Sequence, residues 1–183
     1  MEYNPSMSLN GKLMESLLEF RVGDLLRRQE LKVAVAESCT GGLIGHRLTN
    51  IPGSSDYYLG SVVTYSLHAK ERWLGVQPQT LAAHGAVSRE TALEMACGIR
   101  TVFSVDFGLN YLIGLSITGI AGPGGALPGK PVGTAWVGLS TPEGDQALPI
   151  FSQGSRVENK TAFAEQALLV LINHLEARLR LEK

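Results

Sequence analysis

Cysteine is scarce in this chain: two residues in 183, Cys39 and Cys97. Two isolated cysteines do not make a disulfide framework, so a reducing, cytoplasmic setting is expected. There is no C-x-x-C and no His-x-x-x-His pair, which argues against a metal site, and no cofactor is expected. Charge of one sign is also missing. Sixteen Lys and Arg stand against 17 Asp and Glu, a net charge of -1, so bulk electrostatics favours neither nucleic acid nor an anionic membrane surface. A local basic pocket for a small anion is still compatible with that balance. No apolar run is long enough to span a bilayer. The opening "MEYNPSMSLNGK" lacks the apolar stretch of a secretory signal. No G-x-x-x-x-G-K-[ST] phosphate loop and no G-x-S-x-G nucleophile elbow occurs. Repeats and low-complexity segments are absent as well.

What is present is an ordinary globular composition, 44% hydrophobic and 18% charged, in a chain long enough for one sizeable core. "KLMESLLEFRVGDLLRRQ" places Leu13, Leu17, Phe20 and Leu25 near one helical face, predicting a helix from about Asn10 to Gln29. "LKVAVAES" reads as a strand ending at Ser38, followed by Gly41, Gly42 and the helical "LIGHRLTN". "YYLGSVVTYS" is aromatic and β-branched, hence strand. Ser66 then caps the short helix "LHAKERWLG", which Gly75 stops. Ser88 caps "RETALEMACGIRTVFS", with Glu90 suited to the helix dipole. The strand "NYLIGLSIT" ends at Thr118 and leads into "GIAGPGGALPGKP". "VGTAWVGLS" and "QALPIFS" read as a hairpin. A final helix from about Arg156 to Leu181 buries Ala164, Leu168, Leu171 and Leu175. Strands alternating with helices, with a late hairpin, predict a three-layer α/β/α sandwich with a mixed sheet. Residues 1–30 read as a tail and extra helix, and 31–183 as the domain proper.

In such sheets the loops after the strands' carboxyl ends build the site. Three qualify: Ser38–Gly42, Tyr65–Lys70 and Thr118–Lys130. Ser38 stands at a helix start, where it reads either as a cap or as a nucleophile beside free backbone amides. Cys39 is the rival nucleophile or a packing residue. Of the histidines, His46, His68, His84 and His174, none has both the placement and the carboxylate partner of a Ser-His-Asp triad. A desolvated, neutral lysine can serve as base instead, and Lys70 is the best placed. Tyr65 reads either as a hydrogen-bonding residue of the same site or as a packing residue. The long glycine- and proline-rich loop reads as functional, and Lys130 and Arg156 read either as positive charge for a phosphate or as surface charges.

At these motifs the chain resembles the C-terminal domain family of the competence/damage-inducible protein CinA. The resemblance rests on "VAVAESCTGGLIGHRLTNIPGSSDYYLGSVVTYSLHAKERWLGV", "HGAVSRETALEMA", "SITGIAGPGG" and "KPVGTAWVGL", and it spans about Lys32 to Leu175. It implies the same three-layer fold and a metal-free Ser/Lys amidohydrolase activity that converts nicotinamide mononucleotide and water to nicotinic acid mononucleotide and ammonia. Carried onto matching positions, Ser38 is the nucleophile, Lys70 the base and Tyr65 a third residue of the site. Cys39, Thr40, Gly41, Gly42, Thr118, Gly119, Gly122, Gly124, Gly125, Lys130 and Arg156 are the expected substrate-binding residues. The chain departs from the family in "GGALPGKPVG", where "GGGTPEKPVG" is frequent. It departs again in "GSR" at Gly154–Arg156, and Lys160 stands where a second arginine is common. These departures motivate an alternative, a non-catalytic nucleotide- or phosphate-binding module of the same fold. A purely structural partner protein is a third reading. A small-molecule nucleotide is the expected partner, with a homodimer as the expected assembly.

Overall fold

The computed structural model describes residues 17–181. Its sheet has five strands, β1 Lys32–Glu37, β2 Tyr58–Val63, β3 Leu112–Gly119, β4 Thr134–Thr141 and β5 Gly144–Phe151, in the order β2-β1-β3-β4-β5. β1 runs parallel to β2 and β3, while β4 is antiparallel to both β3 and β5. The helices are α1 Leu18–Arg28, α2 Leu43–Thr49, α3 Leu67–Leu74, α4 Pro78–His84, α5 Arg89–Phe107 and α6 Arg156–Leu181.

The central strand β1 explains the layering. Its side chains alternate between two cores. Val33 and Val35 enter one, with Leu26 of α1, Ile44 and Leu48 of α2, and Phe163, Leu168, Leu171 and Leu175 of α6. Ala34 and Ala36 enter the other, with Leu74 of α3, Leu81 of α4 and Met95 and Ile99 of α5. Helices therefore cover both faces, and β1 reads as a nearly continuous apolar run rather than an alternating one. Each fully buried Leu or Ile contributes about 1.5–3 kcal/mol.

Ser66 and Ser88 cap their helices as expected, accepting from the Ala69 and Thr91 amides at 3.1 Å each, and Gly75 ends α3 in the left-handed region. The residues expected to be buried in α6 are buried. Two expectations change, and one lies partly outside the described residues. Of the predicted first helix, residues 10–16, including Leu13, lie outside the described residues. The helix begins at Leu18, because Leu17 is extended and 41% exposed. Its buried stripe is Val22, Leu25 and Leu26 with Glu19, so Leu17 is not part of the core face. The short helix α4 was not legible from periodicity: of its seven residues only Leu81 is buried, and Pro78 at its start is the main signal.

β1, β2 and β3 are parallel, so their carboxyl ends open on one edge of the sheet. The three loops leaving that edge, together with the start of α6, surround a single cavity.

Candidate active site

Ser38 follows β1 directly, and Lys70 projects from the first turn of α3. Lys70 Nζ donates to Ser38 Oγ at 2.9 Å and to the Thr64 carbonyl at 2.6 Å. Lys70 is 1% exposed and Ser38 7%. Burial disfavours the ammonium, and the Lys70 pKa falls from 10.5 to about 8, against a smaller opposing pull from Cys39. Such an amine has an appreciable neutral fraction near physiological pH. In the neutral form one N–H can keep the Thr64 carbonyl while the lone pair faces the serine hydroxyl. The carbonyl thus fixes the amine in the orientation a base needs.

Cys39 is 5% exposed, and burial pushes its thiol up to about 12, against the opposing pull of its own amide and of Lys70. A thiol held neutral is a poor nucleophile. Between the adjacent candidates, electrostatics and geometry favour the serine.

The start of α2 differs from expectation. Gly41 and Gly42 take positive φ, +66° and +96°, as a chain turning sharply from strand to helix requires. Their amides do not wait for an anion. Gly41 N–H donates to the Ser38 carbonyl at 3.2 Å. Gly42, Ile44 and Gly45 N–H all donate to the buried carboxylate of Glu37, as does the Thr40 hydroxyl. The Thr40 hydroxyl and the Gly41 and Gly42 amides are thus not a free anion-binding surface: Glu37 takes the Thr40 hydroxyl and the Gly42 amide, and the Ser38 carbonyl takes the Gly41 amide.

The cavity, about 150 Å³, is lined by Ser38, Cys39, Tyr65, Lys70, Ala86, Val87, Thr118, Gly119, Ala121 and Arg156. Thr118 donates from Oγ1 to the Ala86 carbonyl at 2.7 Å, tying the end of β3 to the α4–α5 turn that forms the far wall. Arg156 donates to the Gly122 carbonyl at 2.6 Å and to the Tyr65 hydroxyl at 2.8 Å, so Arg156 and the exposed Tyr65 meet at the mouth. One turn further along α6, Lys160 Nζ stands 3.5 Å from the position a Cβ on Gly41 would occupy. The buried Asn159 donates to the carbonyls of Ala121 and Gly154, 3.0 Å each, latching the glycine loop to the start of α6.

Of the expected residues, Ser38, Cys39, Tyr65, Lys70, Thr118, Gly119 and Arg156 converge on the cavity, and Gly122 reaches it through Arg156. Gly124, Gly125 and Lys130 do not line it, and Lys130 donates instead to the His84 carbonyl at 2.8 Å. No histidine lines it either. His84 faces Glu90, and His174 faces Glu143. A larger apolar groove of about 440 Å³ lies between α3 and α5 under Trp73. Its Glu94 is already committed to the Gln77 amide and the Thr80 hydroxyl, and it holds no paired nucleophile and base. Among the described residues no cluster of His, Cys, Asp or Glu could hold a metal, and no helix is long and apolar enough to cross a membrane. Sequence reasoning missed Glu37, Thr64 and Asn159. The only available signal was a carboxylate placed just before a helix start rich in unpaired amides.

With this geometry in hand, the chain can be set beside known proteins. The CinA C-terminal domain family matches residues 15–175. A putative competence-damage inducible protein of Moorella thermoacetica is 46% identical over 164 residues, covering 90% of this chain and 38% of that protein. A CinA-like protein of Desulfosudis oleivorans is 52% identical over 155 residues, covering 84% and 36%. The chain thus spans well under half the length of these relatives. Among solved structures, a CinA superfamily protein of Klebsiella pneumoniae superposes with a TM-score of 0.80 at 31% identity, over 87% of this chain and 96% of that one.

Proposed function

The chain belongs to the CinA C-terminal domain family, and from that premise we propose that it is a Ser/Lys amidohydrolase that converts nicotinamide mononucleotide and water to nicotinic acid mononucleotide and ammonia. The observation that carries this reading is the 2.9 Å contact between the buried Lys70 amine and Ser38 Oγ, with the Thr64 carbonyl fixing that amine from behind.

In this mechanism neutral Lys70 takes the Ser38 proton as Oγ attacks the carboxamide carbon. The two loop amides left to a tetrahedral oxyanion are those of Cys39 and Thr40, which otherwise face only the Cys39 sulfur. Lys70 returns the proton to the departing nitrogen, and ammonia leaves. Water, deprotonated by the same amine, attacks the acyl-enzyme and releases the carboxylate with Ser38 restored. The small inner cavity suits the carboxamide ring. The ribose phosphate then lies towards the mouth, where Arg156 and Lys160 supply charge of the right sign. Of the two altered segments that motivate the binding-module alternative, Gly124, Gly125 and Lys130 of "GGALPGK" lie off the cavity lining, whereas Arg156 of "GSR" is on it.

The test is ammonia release from nicotinamide mononucleotide by the wild-type protein beside Ser38→Ala. The reading expects turnover in the first and loss of at least ~10³-fold in the second. Calorimetric binding with no ammonia from the wild type would replace it with the binding module.

A further inference from the structure

Glu37 is fully buried, ends β1 and pairs in register with Val63 of β2 and Ile117 of β3. One carboxylate oxygen accepts from the Thr40 hydroxyl at 2.7 Å, the Gly42 amide at 2.9 Å and the Ile44 amide at 3.2 Å. The other accepts from the Gly45 amide at 2.9 Å. Ser61 Oγ adds a longer contact at 3.4 Å and itself pairs with the Tyr58 hydroxyl. Gly45 makes room for this cluster: a Cβ there would come within 2.4 Å of the Tyr58 hydroxyl and 2.7 Å of Ser61 Oγ.

Burying a carboxylate costs several kcal/mol unless its lone pairs are satisfied. Here one side chain satisfies itself on donors spread from Thr40 to Gly45, and in doing so caps α2. That role ordinarily falls to a serine or threonine at the strand–helix turn. Ser66 and Ser88 perform it for α3 and α5, whereas Ser38 makes no such cap bond and its Oγ meets Lys70. Glu37 neither lines the cavity nor touches Lys70, so any effect on the reaction passes through the serine.

We propose that Glu37 is the positioning residue of the nucleophile: it satisfies the start of α2, whose cap position is the side-chain-less Gly42, and so fixes the turn that keeps the serine hydroxyl towards Lys70. This rests on the reading of Ser38 as nucleophile given above. Removing the carboxylate leaves three helix-start amides without an acceptor. The hydroxyls beside it are those of Thr40 and Ser61, and without the carboxylate the turn from Ser38 to Gly45 loses the anchor that holds the serine against Lys70.

The test compares wild type, Glu37→Gln and Leu26→Ala, the last removing a buried side chain of α1 that does not line the cavity. Each is measured for kcat and KM on nicotinamide mononucleotide, for the rate of Ser38 labelling by a small fluorophosphonate, and for melting temperature. Glu37→Gln is expected to lose about 100-fold in kcat and in labelling rate, with KM within about twofold. Leu26→Ala is expected to melt at least as early while keeping both rates within about twofold. Should Glu37→Gln fail to fold, Thr40→Val removes a single donor and is expected to slow labelling about 5-fold. Wild-type rates in folded Glu37→Gln, or in Thr40→Val where that variant must decide, would overturn the proposal. So would rate losses in Leu26→Ala matching those in Glu37→Gln. Labelling of Ser38 without turnover of the nucleotide counts against the proposed substrate and leaves the labelling arm to decide. A wild type that neither turns over nor labels at Ser38 refutes the nucleophile reading, and this inference falls with it.

Discussion

Ser38 and Ser66 both lie between a parallel strand and the helix that follows it, Ser38 directly after β1 and four residues before the cap position, Ser66 at the cap position itself. Ser66 spends its hydroxyl on the Ala69 amide and is exposed. Ser38 is buried, leaves the capping to its neighbour Glu37, and points at an amine that burial holds at about 8. The residue type is the same in both turns, but only Ser66 stands at the cap position. The difference lies in who satisfies the helix start: a serine relieved of capping is available for chemistry, and one that caps is committed to structure. Lys70 links the two turns, since the helix Ser66 caps is the one that carries the base.

The largest expected effect separates the two serines outright. Ser38→Ala is expected to abolish ammonia release, by at least ~10³-fold, whereas Ser66→Ala is expected to keep it.

Lys70→Met should match the first loss and also alter the pH dependence of stability. In the fold the amine is held at about 8, against 10.5 ordinarily. Between those values the unfolded chain binds more protons than the native one, so wild-type stability rises with pH across this window, by roughly 3 kcal/mol in total. Lys70→Met lacks that rise. Denaturant titrations at pH 7.5 and 10.5 should therefore show the difference between the two proteins shifting towards the wild type by an amount of that order. The same amine predicts that wild-type kcat/KM falls about tenfold per pH unit below about 8.

At the mouth, Arg156→Met is expected to raise KM for the mononucleotide roughly 10- to 100-fold. The effect on the riboside that lacks the phosphate should be much smaller, and equal effects on both would remove Arg156 from phosphate recognition. The smallest change belongs to the capping turn: Ser66→Ala should cost about 1 kcal/mol of stability, read from denaturant midpoints.

Much of this was legible in the sequence, for identifiable reasons. Strand and helix periods, the Ser66 and Ser88 caps and the Gly75 stop are local, and local rules found them. The pairing of Ser38 with Lys70 was accessible because both follow parallel strands whose carboxyl ends must share an edge. Glu37 stayed hidden because its role is set by distance in space: from the chain alone it is a charged residue inside an apolar strand, and only the fold shows the amides of Gly42, Ile44 and Gly45 closing around it. Lys130 leaves two readings open from the chain alone, charge for a phosphate or a surface charge. Its place in a glycine loop suggested an anion site, but the loop carries it to the His84 carbonyl instead. The stripe on α1 missed Val22 and Leu26 because it assumed that the helix continues through Leu17, where the backbone is extended.

The central claim is that Ser38 is the nucleophile and Lys70 the group that activates it. Peptide mass spectrometry after reaction with a fluorophosphonate, across a pH series and in wild type and Lys70→Met, tests it most directly. The adduct is expected on Ser38, at a rate that rises through about pH 8 in the wild type and is nearly absent in the variant. An adduct on Cys39 or Ser66, or Ser38 labelling that is indifferent to both pH and Lys70, would contradict it.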